Sequence, residues 1–225
     1  MCASKILLSR GGLLDSAGML VCADGSSKQR GHGQDPERYS EPEEVFFPSA
    51  CAAMYRRAML EEIGGFDESF FLYSEDTDVG LRARWTGWKC LYAPGALVEH
   101  RYSHTAGGAS ALKAYYVERN RLFVIAKNFP AAELMRSPLA AAARYFWHFA
   151  AMLDRRGAAA RFRERGQSGW NLPWYVLRAH LALAASLGRL LKERRRIRHS
   201  ARITSGEFRR LLKRYSIRPR EVAYL

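Results

Sequence analysis

Apolar residues are distributed along the chain in two textures. Up to about residue 130 they come in short runs separated by glycine, proline and acidic residues. Residues 5–8 and 17–22 are short apolar strand candidates either side of a Gly11-Gly12 turn. Residues 23–45 are polar and rich in Gly, Ser, Asp and Glu, which predicts a long surface loop. Residues 52–63 are good helix formers, stopped by Gly64-Gly65. Residues 76–86 predict a second helix, with Ser74 as N-cap and Glu75, Asp76 and Asp78 crowding the positive end of its dipole. Leu81, Trp85 and Trp88, at i, i+4 and i+7, give it a buried stripe. Residues 89–92 and 96–99 read as strands around a Pro94-Gly95 turn, and 110–128 as a long helix closed by Pro130.

Beyond residue 130 the pattern changes to helices rich in Ala, Leu and Arg at about 138–153, 173–196 and 205–215. In the second of these, Arg178, Arg189 and Arg196 share one stripe, while Leu177, Leu181, Ala184 and Leu191 lie on other faces. Such a helix suits a membrane interface, or packs on a domain with one face solvated. The runs 138–153 and 170–191 are broken by Arg144 and His148, and by Arg178, His180 and Arg189. Neither offers the roughly 20 uncharged residues that a spanning helix needs.

Charge sharpens this division. The 225 residues carry 36 Lys and Arg against 22 Asp and Glu, a formal net charge of +14. Residues 1–130 hold 15 basic and 16 acidic side chains, whereas residues 131–225 hold 21 and 6. The asymmetry points to a polyanionic partner for the tail, an anionic membrane surface or nucleic acid. No helix-turn-helix, RNP or zinc-finger pattern supports base reading, so no nucleic acid is expected. At 48% hydrophobic the chain can bury a core. Cys2, Cys22, Cys51 and Cys90 form no CxxC pair and predict reduced thiols in a cytosolic compartment. No stretch has the order of a signal peptide.

The candidate chemistry lies at the start of the 76–86 helix. An acidic pair there, flanked by the aromatics of residues 70–73, suits a general base: desolvation raises the carboxyl pKa and the helix terminus limits the rise. The plainer reading of an acidic helix start is a cap. Asp76-Thr77-Asp78 is also an Asp-x-Asp, but it opens a helix instead of ending a strand, so Asp78 reads as a first-turn acid paired with Arg82. His100 and His104 are four apart, yet the residues between them lack the glutamate of the zinc-protease motif, and zinc is not expected.

Specific blocks then carry a resemblance. GGFDE at 64–68, FFLYSEDTDVGLRARWTGW at 70–88, APGALVEH at 93–100, YYVERNRL at 115–122 and KNFP at 127–130 resemble, in order, the acceptor-side half of family-2 inverting glycosyltransferases. The likeness is greatest to bacterial rhamnosyl- and galactofuranosyl-type enzymes of cell-envelope assembly. It implies an α/β fold: residues 1–130 as the acceptor-side part of a GT-A (nucleotide-diphospho-sugar transferase-like) domain, and 131–225 as a basic amphipathic helical tail associated with the membrane. By the same resemblance Asp76 matches the catalytic base, and Glu75 orients the acceptor or tunes Asp76. His100 matches a ligand of Mg²⁺ or Mn²⁺, and Lys113, Arg119 and Asn120 lie near the diphosphate or acceptor. Trp85 and Trp88 are expected in the core.

The implied activity is inverting hexosyl transfer from a nucleotide-sugar to a saccharide or lipid-linked acceptor in envelope polysaccharide or glycolipid synthesis. The implied location is cytoplasmic, peripheral on the inner face of the membrane, with the tail on anionic lipid. The family's nucleotide-binding half and its strand-end Asp-x-Asp would precede residue 1, so this chain alone is expected to be inactive or very weak. The rival expectation is a non-catalytic remnant serving as a scaffold or membrane-binding module. The family often has a glycine near Ala50 or Cys51, which this sequence lacks.

Overall fold

A computed structural model describes residues 1–9, 11–101, 110–157 and 171–225; His104 lies outside the described residues. Strand β1 (Cys2–Leu8) turns Ala3, Lys5 and Ile6 inward. It pairs in parallel with β7 (Cys90–His100), and antiparallel with β2 (Leu14–Ser16) and β6 (Ala53–Met54). The other edge of β7 takes β5 (Glu43–Val45). A second sheet joins β3 (Met19–Cys22) antiparallel to β4 (Ser27–Gln29) and parallel to β8 (Ser216–Ile217). The fold is mixed α/β, as expected.

Three local expectations change. The strands at 89–92 and 96–99 are one strand. Ser4 faces Ala93 and Lys5 faces Leu97, so 94–96 bulge out of the ladder instead of ending it. The polar stretch 23–45 holds β4, a 3-10 turn at Pro36–Tyr39 and β5. Helix α1 covers only Arg57–Ile63, because 53–54 are drawn into pairing with β1. It stops where expected: Gly64 sits at φ 86°, the left-handed conformation that favours glycine, and its N–H reaches the Leu60 carbonyl.

Helix α2 (Glu75–Trp85) approaches the core so closely that a side chain at Gly80 would collide with the Phe47 ring. Helix α3 (Ala111–Asn128) is capped by Ser110, whose hydroxyl accepts from the Lys113 N–H at 3.2 Å. Helix α4 (Ala131–Leu153) starts well before residue 138 and carries Pro138 inside it. Proline leaves the Leu134 carbonyl without its usual N–H donor, and the Ser137 hydroxyl donates to that oxygen at 2.8 Å instead. Helices α5 (Leu172–His199), α6 (Ser205–Arg214) and α7 (Pro219–Tyr224) follow.

The main core joins Met19, Val21, Phe46, Phe47, Trp85 and Phe123 to Leu190, Ile197, Phe208 and Tyr215. Trp85 stacks on Phe208 with centroids 4.0 Å apart, and Phe46 stacks on Tyr215 at 5.2 Å. Packing therefore runs across residue 130, where the sequence placed a boundary between catalytic part and tail.

Of the two readings of the arginine stripe, the geometry is that of packing on the domain. The Arg178 guanidinium lies 4.8 Å from the Tyr115 ring centroid, and Arg189 lies 5.5 Å from Phe123 and 3.4 Å from an Asp67 oxygen. Arg196 donates to the Ile63 carbonyl at 3.3 Å. Arg194 and Arg198 donate to the carbonyls at the end of α3. All four cysteines are free, and no helix among the described residues is long and apolar enough to cross a membrane.

Candidate active site

The turn that delivers Glu75 and Asp76 to the start of α2 is strained. Phe71, Tyr73 and Ser74 have φ of 58°, 69° and 63°, a region costing non-glycine residues about 1–3 kcal/mol each. Ser74 makes no side-chain cap. The strain is held from α3. The Asn120 amide nitrogen donates to the carbonyls of Phe70, Leu72 and Tyr73 at 2.7–2.9 Å. Arg119 fixes that amide by donating to Asn120 Oδ1 at 2.8 Å, and also donates to the Ser69 and Phe70 carbonyls. Asn120 is completely buried.

The structure gives Arg119 and Asn120 backbone partners at the turn that precedes the acidic pair. Lys113 lies at the edge of the same turn, its ammonium 5.4 Å from the Tyr73 ring centroid. One helical turn into α2, buried Asp78 pairs with Arg82 at 2.8 Å as expected. It also accepts from Lys127 at 3.0 Å and Asn128 at 2.9 Å, and Lys127 bridges on to Asp67 at 2.6 Å. The GGFDE and KNFP blocks are thereby clamped to one aspartate. Trp85 is buried in the core and Trp88 donates to Glu62 at 2.9 Å.

Asp76 is partly exposed and accepts from the Ala50 N–H at 3.2 Å, the Thr77 N–H at 2.7 Å and the Thr77 hydroxyl at 3.3 Å. Burial pushes its carboxyl above the ordinary aspartate range, and these hydrogen bonds offset only part of the rise. Glu75 is raised as well, by burial and then by the adjacent Asp76 charge. Two buried polar atoms here have no hydrogen-bond partner among the described residues: Glu75 Oε2 and the Tyr55 hydroxyl. Tyr55 is pushed up by burial and then by the charges of Asp76, Cys90 and Glu75. Unmatched buried polar atoms are rare, and a hydroxyl-bearing ligand would supply the missing partners.

His100 ends β7 with Nδ1 2.7 Å from Asp15 Oδ2, and His32 Nδ1 lies 2.9 Å from Asp15 Oδ1. Burial alone would raise Asp15. The hydrogen bonds and charges of His32 and His100 outweigh it and hold the carboxyl below the usual range. An ionised carboxylate only accepts, so each imidazole donates through Nδ1. The Cys51 thiol is raised by burial and then by the charges of Asp15 and Asp76. No group of three or more His, Cys, Asp or Glu side chains among the described residues is placed to hold a metal ion. His100 supplies one oriented donor.

Sequence reasoning found the acidic pair and His100 but missed Asp15, His32 and Tyr55. A lone charge in Leu14-Asp15-Ser16 was the available signal, since all three of these residues are buried. His32 sits in the stretch read as loop, where nothing local marks it.

Two curated relatives match a stretch of the chain. Each is described as an N-acetylglucosaminyl-diphospho-decaprenol L-rhamnosyltransferase, one from Mycobacterium tuberculosis strain CDC 1551 / Oshkosh and one from strain ATCC 25618 / H37Rv. Each is 40% identical over 80 residues, a stretch covering 34% of this chain and 26% of the relative. The likeness spans about a quarter of the length of these relatives. The model of the family described as Glycosyl transferase family group 2 matches residues 26–189, which take in Glu75, Asp76, His100, Arg119 and Asn120, and the chain belongs to that family.

Proposed function

We propose that the site serves inverting transfer of a hexosyl group, of the L-rhamnosyl type named for the relatives, from a nucleotide-sugar to a saccharide or lipid-linked acceptor. The setting is envelope polysaccharide or glycolipid assembly at the cytoplasmic face of the membrane. The observation that carries this reading is the acidic pair itself. A strained turn, braced by Asn120 and Arg119, presents a partly exposed Asp76 of raised basicity beside the unpartnered Glu75 Oε2 and Tyr55 hydroxyl. That arrangement supports proton abstraction from an alcohol.

Asp76 takes the acceptor hydroxyl proton as the acceptor oxygen forms its bond to the anomeric carbon. The bond from that carbon to the diphosphate oxygen breaks on the opposite face, inverting the centre. Glu75 and Tyr55 hydrogen-bond to the acceptor and orient it. His100, fixed by Asp15, is proposed as one ligand of Mg²⁺ or Mn²⁺. When bound, such a cation neutralises charge on the leaving nucleoside diphosphate.

The test is release of nucleoside diphosphate from nucleotide-activated deoxyhexoses in the presence of an N-acetylglucosaminyl-diphospho-lipid. Asp76→Asn is expected to lower the rate by about 10²–10⁴-fold. Wild-type turnover in that variant removes Asp76 from the mechanism. Release by this chain alone is expected to be very weak, and no release with any donor favours the scaffold reading over the enzymatic one.

A further inference from the structure

Helices α4 and α5 are amphipathic in the reverse of the usual sense. On α4, Met135, Leu139, Phe146, Phe149 and Leu153 are 78%, 77%, 62%, 58% and 67% exposed. With Ala142 they fall within one narrow sector of the helix, a stripe about 27 Å long at 1.5 Å per residue. The polar side chains are on the opposite face and point inward. Arg144 is buried against Asp24 and Glu118, the Tyr145 hydroxyl donates to Glu118, and Ala141 and Ala151 are buried. These buried ion pairs lock the rotation of α4 with its apolar stripe outward.

Helix α5 repeats the arrangement. Ala179, Leu190 and Ile197 face the core. Arg189, Arg194, Arg196 and Arg198 fold onto rings and carbonyls of the domain. Trp174, Leu177, Leu181 and Leu191 are left at 54%, 50%, 58% and 42% exposure. Exposed apolar stripes of this length mark a contact with something other than water.

Charge identifies the occupant. Exposed cations border the apolar stripes: Arg136, Arg155 and Arg156 by α4, and Lys192 and Arg195 beyond Leu191 on α5. Residues 131–225 hold 21 basic against 6 acidic side chains, so a second copy of the chain would bring like charges together. An anionic bilayer surface satisfies both features: aromatic and aliphatic side chains enter the interface while the bordering cations meet headgroups. We infer that the outward faces of α4 and α5 form a lipid-docking surface for anionic bilayers, with Phe146, Phe149 and Trp174 as its inserted aromatics. The arginine stripe of α5 is not the docking element, because its heads hold the helix to the domain. This inference rests on the packing of α4 and α5 alone, so vesicle binding and sugar transfer succeed or fail separately.

Co-sedimentation of the protein with vesicles of phosphatidylglycerol and phosphatidylcholine, against phosphatidylcholine alone, tests it. Binding is expected to need phosphatidylglycerol and to weaken with salt. Phe146→Asp with Phe149→Asp is expected to cut partitioning by about tenfold or more at an unchanged circular dichroism spectrum. Met135→Gln with Leu139→Gln supplies an independent pair should the first misfold. Arg155→Gln with Arg156→Gln is expected to reduce binding about tenfold and to flatten its salt dependence. The inference is overturned if the unaltered protein ignores the vesicles or if folded apolar-face variants bind like it. A dimer dissolved by the phenylalanine substitutions, without vesicle binding, overturns it in favour of self-association.

Discussion

Asn120 sits fully buried on α3 with its amide directed at three carbonyls of the turn before Glu75. Asn120→Ala leaves the Leu72 and Tyr73 carbonyls unmatched and removes part of the brace from three residues of positive φ. Chemical denaturation is expected to show a loss of about 2–3 kcal/mol. The relaxed turn would also misplace Asp76, and displacements of about 1 Å in a positioned group cost on the order of 10²-fold in rate. Asn120→Ala is therefore expected to lower transfer by about that factor without touching substrate. Unchanged stability together with full turnover would show that the turn holds its shape unaided. Asp15 is the parallel case on the other side of Cys51: one buried carboxylate sets the ring orientation of His32 and His100.

At the scale of elements, the joint between α3, α4 and the β3–β4 turn is ionic. Glu118 is pushed up by burial, but the Arg121 and Arg144 charges and their hydrogen bonds pull its carboxyl down to about 2 from 4.5. A carboxyl depressed in the folded state contributes stability that is complete above its unfolded value and is lost as pH falls through the folded one. Acid should therefore loosen this joint between about pH 4.5 and 2. Glu118→Gln leaves two buried guanidinium groups sharing Asp24 as their remaining carboxylate and is expected to cost about 3–5 kcal/mol near neutral pH. Urea titrations across that pH range should show a smaller pH dependence for the variant. A variant as stable as the parent would assign the anchoring of α4 to its contacts with α7 instead. Element ends follow the same logic of local against distant partners. Residues 52–63 have helix-forming composition, yet 53–54 become a strand because β1 offers an unpaired edge there.

The whole molecule shares one core across both textures of the sequence. Phe208 covers Trp85, Tyr215 covers Phe46, and β8 completes the sheet begun by β3. A polypeptide of residues 1–130 loses Leu190, Ile197, Phe208 and Tyr215 from that cluster. Each such large side chain removed from a core costs about 2–5 kcal/mol, which together exceeds the stability of an ordinary domain. The shortened polypeptide is expected to lack a cooperative melting transition by circular dichroism. A sharp transition in it would restore the boundary at residue 130 and make the C-terminal helices an appendage.

How much of this was legible depended on whether the causes were local. Helix starts and stops at Ser110, Gly64 and Pro130, the i to i+4 pair of Asp78 with Arg82, and the burial of Trp85 follow from residues a few positions apart, and spacing alone was enough. The motif blocks placed Glu75, Asp76 and His100 because their order along the chain carries the family's pattern. The pairing of His100 with Asp15 and the occupation of Asn120 by backbone each join residues dozens of positions apart, so only the folded chain brings them together. The same holds for the orientation of α5. Periodicity showed an arginine stripe and a leucine stripe on one helix, and which of them faced inward was decided by the carbonyls and rings that α3 presented to the guanidinium groups.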